Sequence, residues 1–161
     1  MEIVGSIVAF LQPKLSANVW DGEVPRFDAL GQPINPQALN GAPSNWPAFT
    51  CYTNDTGFTT TWTTEDPYYE TGSIFIDIYG SSRAQVQPLV DTTKALLISE
   101  TNWAAINIPG APDPSNPYYV IQILPERASV RQTGLRDATN QMIYRGAMEF
   151  YTQVHGAVST A

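Results

Sequence analysis

The chain has 161 residues, a length that predicts one domain over residues 1–161, and its 43% hydrophobic residues exclude a wholly disordered chain. The formal net charge of −7 disfavours sequence-independent binding to phosphates, because such binding needs an excess of Lys and Arg. Charged residues make up only 14% of the chain, which is typical of proteins that lie against partners and also of secreted proteins.

The first quarter of the chain predicts a helix followed by a long loop. Apolar residues recur at helical spacing from Ile3 to Leu15, and Pro13 should bend or end that helix. The apolar run is short, and Glu2 rather than a basic residue precedes it, so we expect neither a signal peptide nor a membrane span. An extended piece follows at residues 18–25. Residues 25–47 hold five prolines and predict a loop that lies on a neighbouring surface or subunit.

The middle of the chain predicts strands and a second helix. Residues 48–64 are rich in Thr and aromatic side chains and predict strands with a turn at residues 54–57. Residues 73–79 alternate between apolar and polar and predict a strand that runs straight into a helix. Ser82 is the expected N-cap of that helix, which should end near residues 98–100. Pro88 should kink this helix or delay its start.

The last third predicts a loop and a pair of strands. Residues 101–117 hold four prolines and predict a second loop. Residues 118–124 predict a strand, residues 125–140 a polar connection, and residues 141–155 a strand with one apolar face. The expected fold class is therefore α+β, with two helices packed on one face of a mainly antiparallel sheet and with long Pro-rich loops.

Reactive side chains do not cluster in this sequence. Cys51 is the one cysteine, so an intrachain disulfide is excluded and a buried apolar thiol is the expected role. His155 is the one histidine and lies six residues from the C-terminus, where order is least assured. Glu65 and Asp66 are adjacent acids at a Pro turn and should be solvated. We therefore expect no catalytic residue, no metal site and no cofactor, and a protein that is not an enzyme.

Five residues are predicted to lie at an interface with other subunits. Arg127, Arg131 and Arg136 cluster in the predicted connection between two strands, in a chain with only eight basic residues. They could bind an acidic neighbour or phosphates, with a protein contact favoured over nucleic acid, or they could be solvated residues of a polar turn. Trp46 and Trp103 lie in or beside the predicted loops, where Trp is typical of intersubunit anchors. They could equally plug the ends of the core.

The order of these elements resembles the tail terminator (tail completion) proteins of tailed bacteriophages. The likeness is one of pattern over most of the chain, because that family has no diagnostic motif of reactive groups. The two Pro-rich loops are longer than in small members of the family. The likeness is carried by the helix at residues 3–15, the extended residues 19–25, the strand 76–79 running into the helix 83–98, and residues 142–145 before 147–151.

The resemblance implies a structural virion protein made in the host cytoplasm and placed at the head-proximal end of the tail. Its copies would form a ring, most often a hexamer, that caps the tail tube, ends tube polymerisation and offers the surface on which the head docks. The implied partners are other copies of itself, the tail tube protein and a neck or head-completion protein. DNA would pass through the lumen without specific binding. A neck or head-closure adaptor, a tail tube subunit, and a small ligand-binding or enzymatic domain remain as alternatives.

Overall fold

A computed structural model describes residues 3–19, 46–53, 58–61, 69–106, 119–136 and 141–155 of the chain. Within these ranges the chain forms three helices and six strands. The helices are α1 (Ile3–Leu15), α2 (Arg83–Ile98) and α3 (Glu100–Ile106). The strands are β1 (Asn18–Val19), β2 (Ala48–Thr53), β3 (Thr59–Thr61), β4 (Tyr69–Gly80), β5 (Tyr119–Arg136) and β6 (Met142–His155).

The strands form one sheet in the order β1-β2-β4-β6-β5, with β3 paired to β4 beside this path. The short pair β1–β2 is parallel, and the other pairs are antiparallel. The longest ladder with unbroken register joins β4 to β6, from Tyr69 opposite His155 to Gly80 opposite Tyr144. The sheet confirms the predicted α+β class with mainly antiparallel strands.

The core lies between the helices and one face of the sheet. The alternating Ile74, Ile76 and Ile78 of β4 are fully buried and point to this side. The core also takes buried residues from each helix and from the strands on either side of β4; they include Ile7 and Leu11 of α1, Val86, Val90 and Leu97 of α2, Ile106 of α3, Phe49 of β2, and Met148, Phe150 and Val154 of β6. Each such side chain contributes about 1.5–3 kcal/mol by leaving water. The prediction that helices pack on one face is therefore confirmed, with a third helix added.

The loop predicted at residues 101–117 is wrong in its first part, because residues 101–106 belong to α3. The chain leaves α2 at Ser99, whose backbone is extended (φ −78°, ψ 116°), and turns directly into α3. Ile106 is buried in the core, and the Trp103 side chain donates its Nε1–H to the Leu97 carbonyl at 2.8 Å. Tertiary packing of these two residues thus outweighs the Pro-rich context that predicted a loop.

The polar connection predicted at residues 125–140 is also wrong over most of its length, because β5 continues to Arg136. The polar side chains of this segment do not predict a strand. Backbone pairing with β6 nevertheless makes it one. The register shifts at three places, between Val120 and Gln122, between Pro125 and Arg127, and between Gln132 and Arg136. Pro125 is tolerated because β5 is at the edge of the sheet. β4 likewise begins at Tyr69, before the predicted residue 73.

The start of α2 forms as predicted. Ser82 is extended (φ −154°, ψ 159°), and its Oγ accepts a hydrogen bond from the Gln85 backbone N–H at 3.1 Å. The Gln85 Oε1 accepts in turn from the Ser81 backbone N–H at 2.8 Å. α2 begins at Arg83 and runs through Pro88, so the predicted late start is wrong. α1 similarly continues two residues past Pro13 before it ends at Leu15.

Ser82→Ala should lower the free energy of unfolding by about 1 kcal/mol, because the Gln85 N–H loses its side-chain acceptor at the first turn of α2. Ser82→Asp retains an acceptor and should stay within about 0.3 kcal/mol of the natural protein. Urea denaturation of the three proteins measures both differences. Equal losses in the two variants would mean that the cap does not stabilise α2.

Several predicted features lie outside the described residues: most of the extended segment 18–25, the Pro-rich residues 25–45, the turn at 54–57, and residues 107–118. None of the helices in the described part of the chain has the length and apolar character needed to cross a membrane.

Candidate interaction surface

The sheet face that points away from the helices is called the far face here. Antiparallel register places residues of β2, β4, β6 and β5 side by side on it, in rows that cross the sheet. The first row is Ala48, Tyr79, Arg145 and Arg131; the second is Thr50, Asp77, Ala147 and Ser129; the third is Tyr52, Phe75, Glu149 and Arg127. The β2 and β4 side of the first two rows is buried, whereas the β5 side is exposed.

Asp77 is the centre of a hydrogen-bond network on the far face, and it is only 1% exposed. Its Oδ2 accepts from the Arg145 Nη2 at 2.9 Å and from the Tyr52 hydroxyl at 3.0 Å. The Tyr79 hydroxyl donates to the same oxygen at 3.5 Å. A buried carboxylate needs such donors because leaving water unpaired is costly. The network therefore fixes the Arg145 side chain, which is itself 41% exposed, at the boundary between core and surface.

The environment of Asp77 changes the acid–base behaviour of its neighbours. Burial, reinforced by the negative charge of Asp77, raises the pKa of the Tyr79 and Tyr52 hydroxyls and of the Cys51 thiol on the core side of β2. Burial alone would lower the pKa of Arg145, but its hydrogen bond to Asp77 and the charge of Asp77 outweigh that effect and raise it. The two tyrosines are therefore neutral donors and Arg145 a permanent cation.

Alkaline solution should destabilise the fold, beginning above about pH 8.5 where an unfolded Cys ionises and growing past about pH 10 where an unfolded Tyr does. The pKa values of Cys51 and Tyr79 are raised by folding, so their stabilising contribution is complete below the unfolded values and is lost as the pH rises. The thermal midpoint, measured from pH 7 to pH 11, should fall over this range, and less steeply in Tyr79→Phe. A midpoint independent of pH would contradict the burial of these groups.

Trp46 is buried, 6% exposed, and packs on Tyr79 with ring centroids 6.3 Å apart at an angle of 44°. Ala48 lies opposite Tyr79 on the far face, and all three residues are buried outside the helix-side core. Trp103 is half-buried in α3 and packs against the core. Both tryptophans thus have packing roles within the chain, and their contact with another subunit stays a prediction.

The predicted arginines lie in strand β5 rather than in a connection. Arg127 and Arg131 project from the far face, whereas Arg136 ends β5 beyond a register shift, with its Cα opposite that of Met142. The Arg127 side chain is 83% exposed, and its Nε lies 3.5 Å from the Glu149 Oε2. Arg131 is exposed and has no hydrogen-bond or ion-pair partner among the described residues. The structure therefore brings two of the three arginines onto one surface.

Sequence reasoning missed Asp77 and Arg145 as members of this surface. Alternation in residues 141–155 predicts that Arg145 and Glu149 share a face, and the structure confirms it. The position of Arg145, beside Asp77 on one side and opposite Arg131 on the other, depends on the pairing of three strands. No local pattern in the sequence carries that information.

The chemistry that this surface offers is recognition of anions. Guanidinium groups held on a rigid sheet present N–H donors in a planar fork that matches a carboxylate or a phosphate. Among the described residues, no three or more His, Cys, Asp or Glu side chains come together as a metal site would require. His155 ends β6, and its side chain lies outside the described part.

Comparison with known proteins gives a likeness to solved structures but not to a protein family. No protein-family model matches the sequence, and no curated protein does. Among solved structures, the chain is similar to a chain in "Virion of native gene transfer agent (GTA) particle", with 12% identity and a TM-score of 0.48. The likeness covers 93% of this chain and 84% of that one.

Proposed function

We propose that this protein is a structural component of a tailed-phage virion, a tail terminator whose copies close into a ring on the tail tube. The observation that supports this best is the order of the elements on which the resemblance to that family depends. The N-terminal helix α1, the strand β4 that runs into the capped helix α2, and the pair β5–β6 near the C-terminus are all present. They leave the helices on one face of the sheet and a charged, partly exposed surface on the other.

The mechanism is shape and charge complementarity between subunits. Ring closure repeats one heterologous contact around an axis, so each copy offers two different surfaces to its neighbours. One side of the finished ring matches the last ring of tube subunits, and the other side does not, so polymerisation stops. That second side then receives the neck or head-completion protein. The acidic composition, with a net charge of −7, suits a lumen through which DNA passes without binding.

The mass of the purified protein by light scattering, alone and after mixing with tail tubes, tests this function. A closed ring in solution, or a ring-sized mass bound once per tube end, is the expected result. Binding along the whole tube would instead identify a tube subunit. Binding to isolated heads but not to tubes would identify a neck adaptor. A protein that stays monomeric and binds neither would overturn the virion assignment and leave the small ligand-binding or enzymatic domain.

A further inference from the structure

Arg131 and Arg145 form a like-charged pair across the β5–β6 ladder, with directly opposed Cα positions. Side chains so placed on one sheet face have Cβ atoms about 5 Å apart, and like charges there are destabilising. The Asp77 carboxylate is taken up by Arg145 and the two tyrosines, and Arg131 has no ion-pair partner among the described residues. This local conflict would be relieved by an anion between the two guanidinium groups.

The neighbouring row leaves room for such an anion. Ala147 and Ser129 lie opposite each other in the next row of the far face, about 7 Å along the strands from Arg145 and Arg131. Both are small, and Arg127 with Glu149 stands in the row beyond them. Arg127, Arg131 and Arg145 therefore surround two short side chains, Ala147 and Ser129. The area bounded by these five residues is called the arginine depression.

We propose that the arginine depression receives an Asp or Glu side chain from a second copy of this chain, and so forms one half of the contact that closes the ring. This inference rests on the proposed function. The depression and its surroundings hold Arg127, Arg131, Arg145, Asp77 and Glu149, and thus an excess of positive charge. The remainder of the chain has five basic residues against thirteen acidic ones, so a second copy is rich in suitable carboxylates.

A nucleic-acid phosphate could occupy the same guanidinium groups, but the charges favour a protein partner. Three arginines, two of them engaged by carboxylates, lie in a chain with a net charge of −7. Association with a polyanion would therefore meet long-range repulsion. A carboxylate on a second copy brings only one charge into contact, at a site where Asp77 already holds Arg145 in place. Preorganised donors of this kind lose little side-chain freedom on binding.

The exposed edge of the sheet, strand β5, is less suited than the far face to the contact between two subunits. β5 carries Pro125 and three register shifts, which interrupt the regular row of backbone donors and acceptors that a strand from another subunit would need. The Arg83 Nη2 also donates to the Val130 carbonyl of β5 at 3.0 Å. Natural sheets use such features to prevent pairing at an edge. The far face, rather than the edge, is thus the surface that β5 offers to a neighbour.

Arg131→Glu tests the inference, and Lys94→Glu is its matched control. The two variants change the net charge equally, but Lys94 is exposed on α2, on the opposite side of the sheet. Arg131→Glu should weaken association between subunits, alone or on tail tubes, by about tenfold or more, as measured by sedimentation over a range of protein concentrations. Lys94→Glu should associate like the natural protein. The folding of Arg131→Glu should be intact, because a Glu opposite Arg145 replaces a repulsion with an attraction.

A rescue experiment identifies the partner residue. Each acidic residue outside the depression is changed to Lys in the Arg131→Glu background, and one such change should restore association by re-forming the pair with reversed charges. A natural protein that never associates, alone or on tubes, would overturn this inference together with the proposed function. A ring that Arg131→Glu forms as well as the natural protein would overturn the inference alone. So would duplex DNA binding that Arg131→Glu abolishes while the ring persists.

Discussion

Asp77→Ala should lower the free energy of unfolding by about 3 kcal/mol, the largest effect expected of a polar substitution in the described part of the chain. The variant leaves the buried Tyr79 hydroxyl and the inner part of the Arg145 guanidinium without their acceptor, the Asp77 Oδ2. Arg145 is 41% exposed and can regain water, which keeps the loss at the lower end of the range for broken buried pairs. Urea denaturation at neutral pH measures the difference.

Two variants separate the causes of that loss. Asp77→Asn keeps an oxygen acceptor in the same place and should lose roughly half as much as Asp77→Ala. Glu149→Gln removes the partner of the exposed Arg127, whose Nε lies 3.5 Å from the carboxylate, and should cost less than about 1 kcal/mol. If Asp77→Ala were as mild as Glu149→Gln, the network around Asp77 would not stabilise the sheet.

Gly146→Val should lower the free energy of unfolding by about 3 kcal/mol, because α2 packs directly against the Gly146 backbone. A Cβ at this position would overlap the Val90 Cγ2 and lie 2.9 Å from the Val86 Cγ1, both on the buried side of α2. The helix would have to move away from the sheet, and its buried contacts would loosen. The higher strand propensity of Val recovers at most about 1 kcal/mol. Thermal unfolding followed by circular dichroism measures the effect.

Ala147→Val is the matched control for Gly146→Val. Ala147 is the next residue of β6 and points to the far face, where the opposite residues are Asp77 and Ser129. The added methyl groups meet the arginine depression rather than a helix, so stability should change by less than about 0.5 kcal/mol. Equal losses of stability in the two variants would mean that the packing of α2 on the sheet does not limit the size of the side chain at position 146.

The elements that form from local pattern could be predicted from the sequence. Ile74, Ile76 and Ile78 alternate because one face of β4 is buried, and that alternation is visible in the sequence alone. Ser82 caps α2 by a bond within three residues, so its residue type and spacing suffice. α1 similarly follows from apolar residues on one face. In each case the stabilising contact lies within the element or on its one apolar face.

The features that depend on pairing between distant strands could not be predicted. Residues 125–136 are polar and read as a connection, yet the ladder with β6 makes them a strand. Trp103 reads as a loop residue, yet packing against α2 and the core places it in α3. The candidate site depends on register above all, because Arg131, Arg145 and Asp77 belong to three different strands. Because they are far apart in the sequence, no local pattern shows that they share one face of the sheet.

The most direct test of the proposed terminator is the length of tail tubes polymerised in its presence, seen by electron microscopy. Tube subunits alone should form tubes of widely varying length with bare ends. With the protein added, growth should stop early, and each stopped end should carry one ring. Tubes that grow to the same lengths with the protein present, and whose ends remain bare, would contradict the assignment.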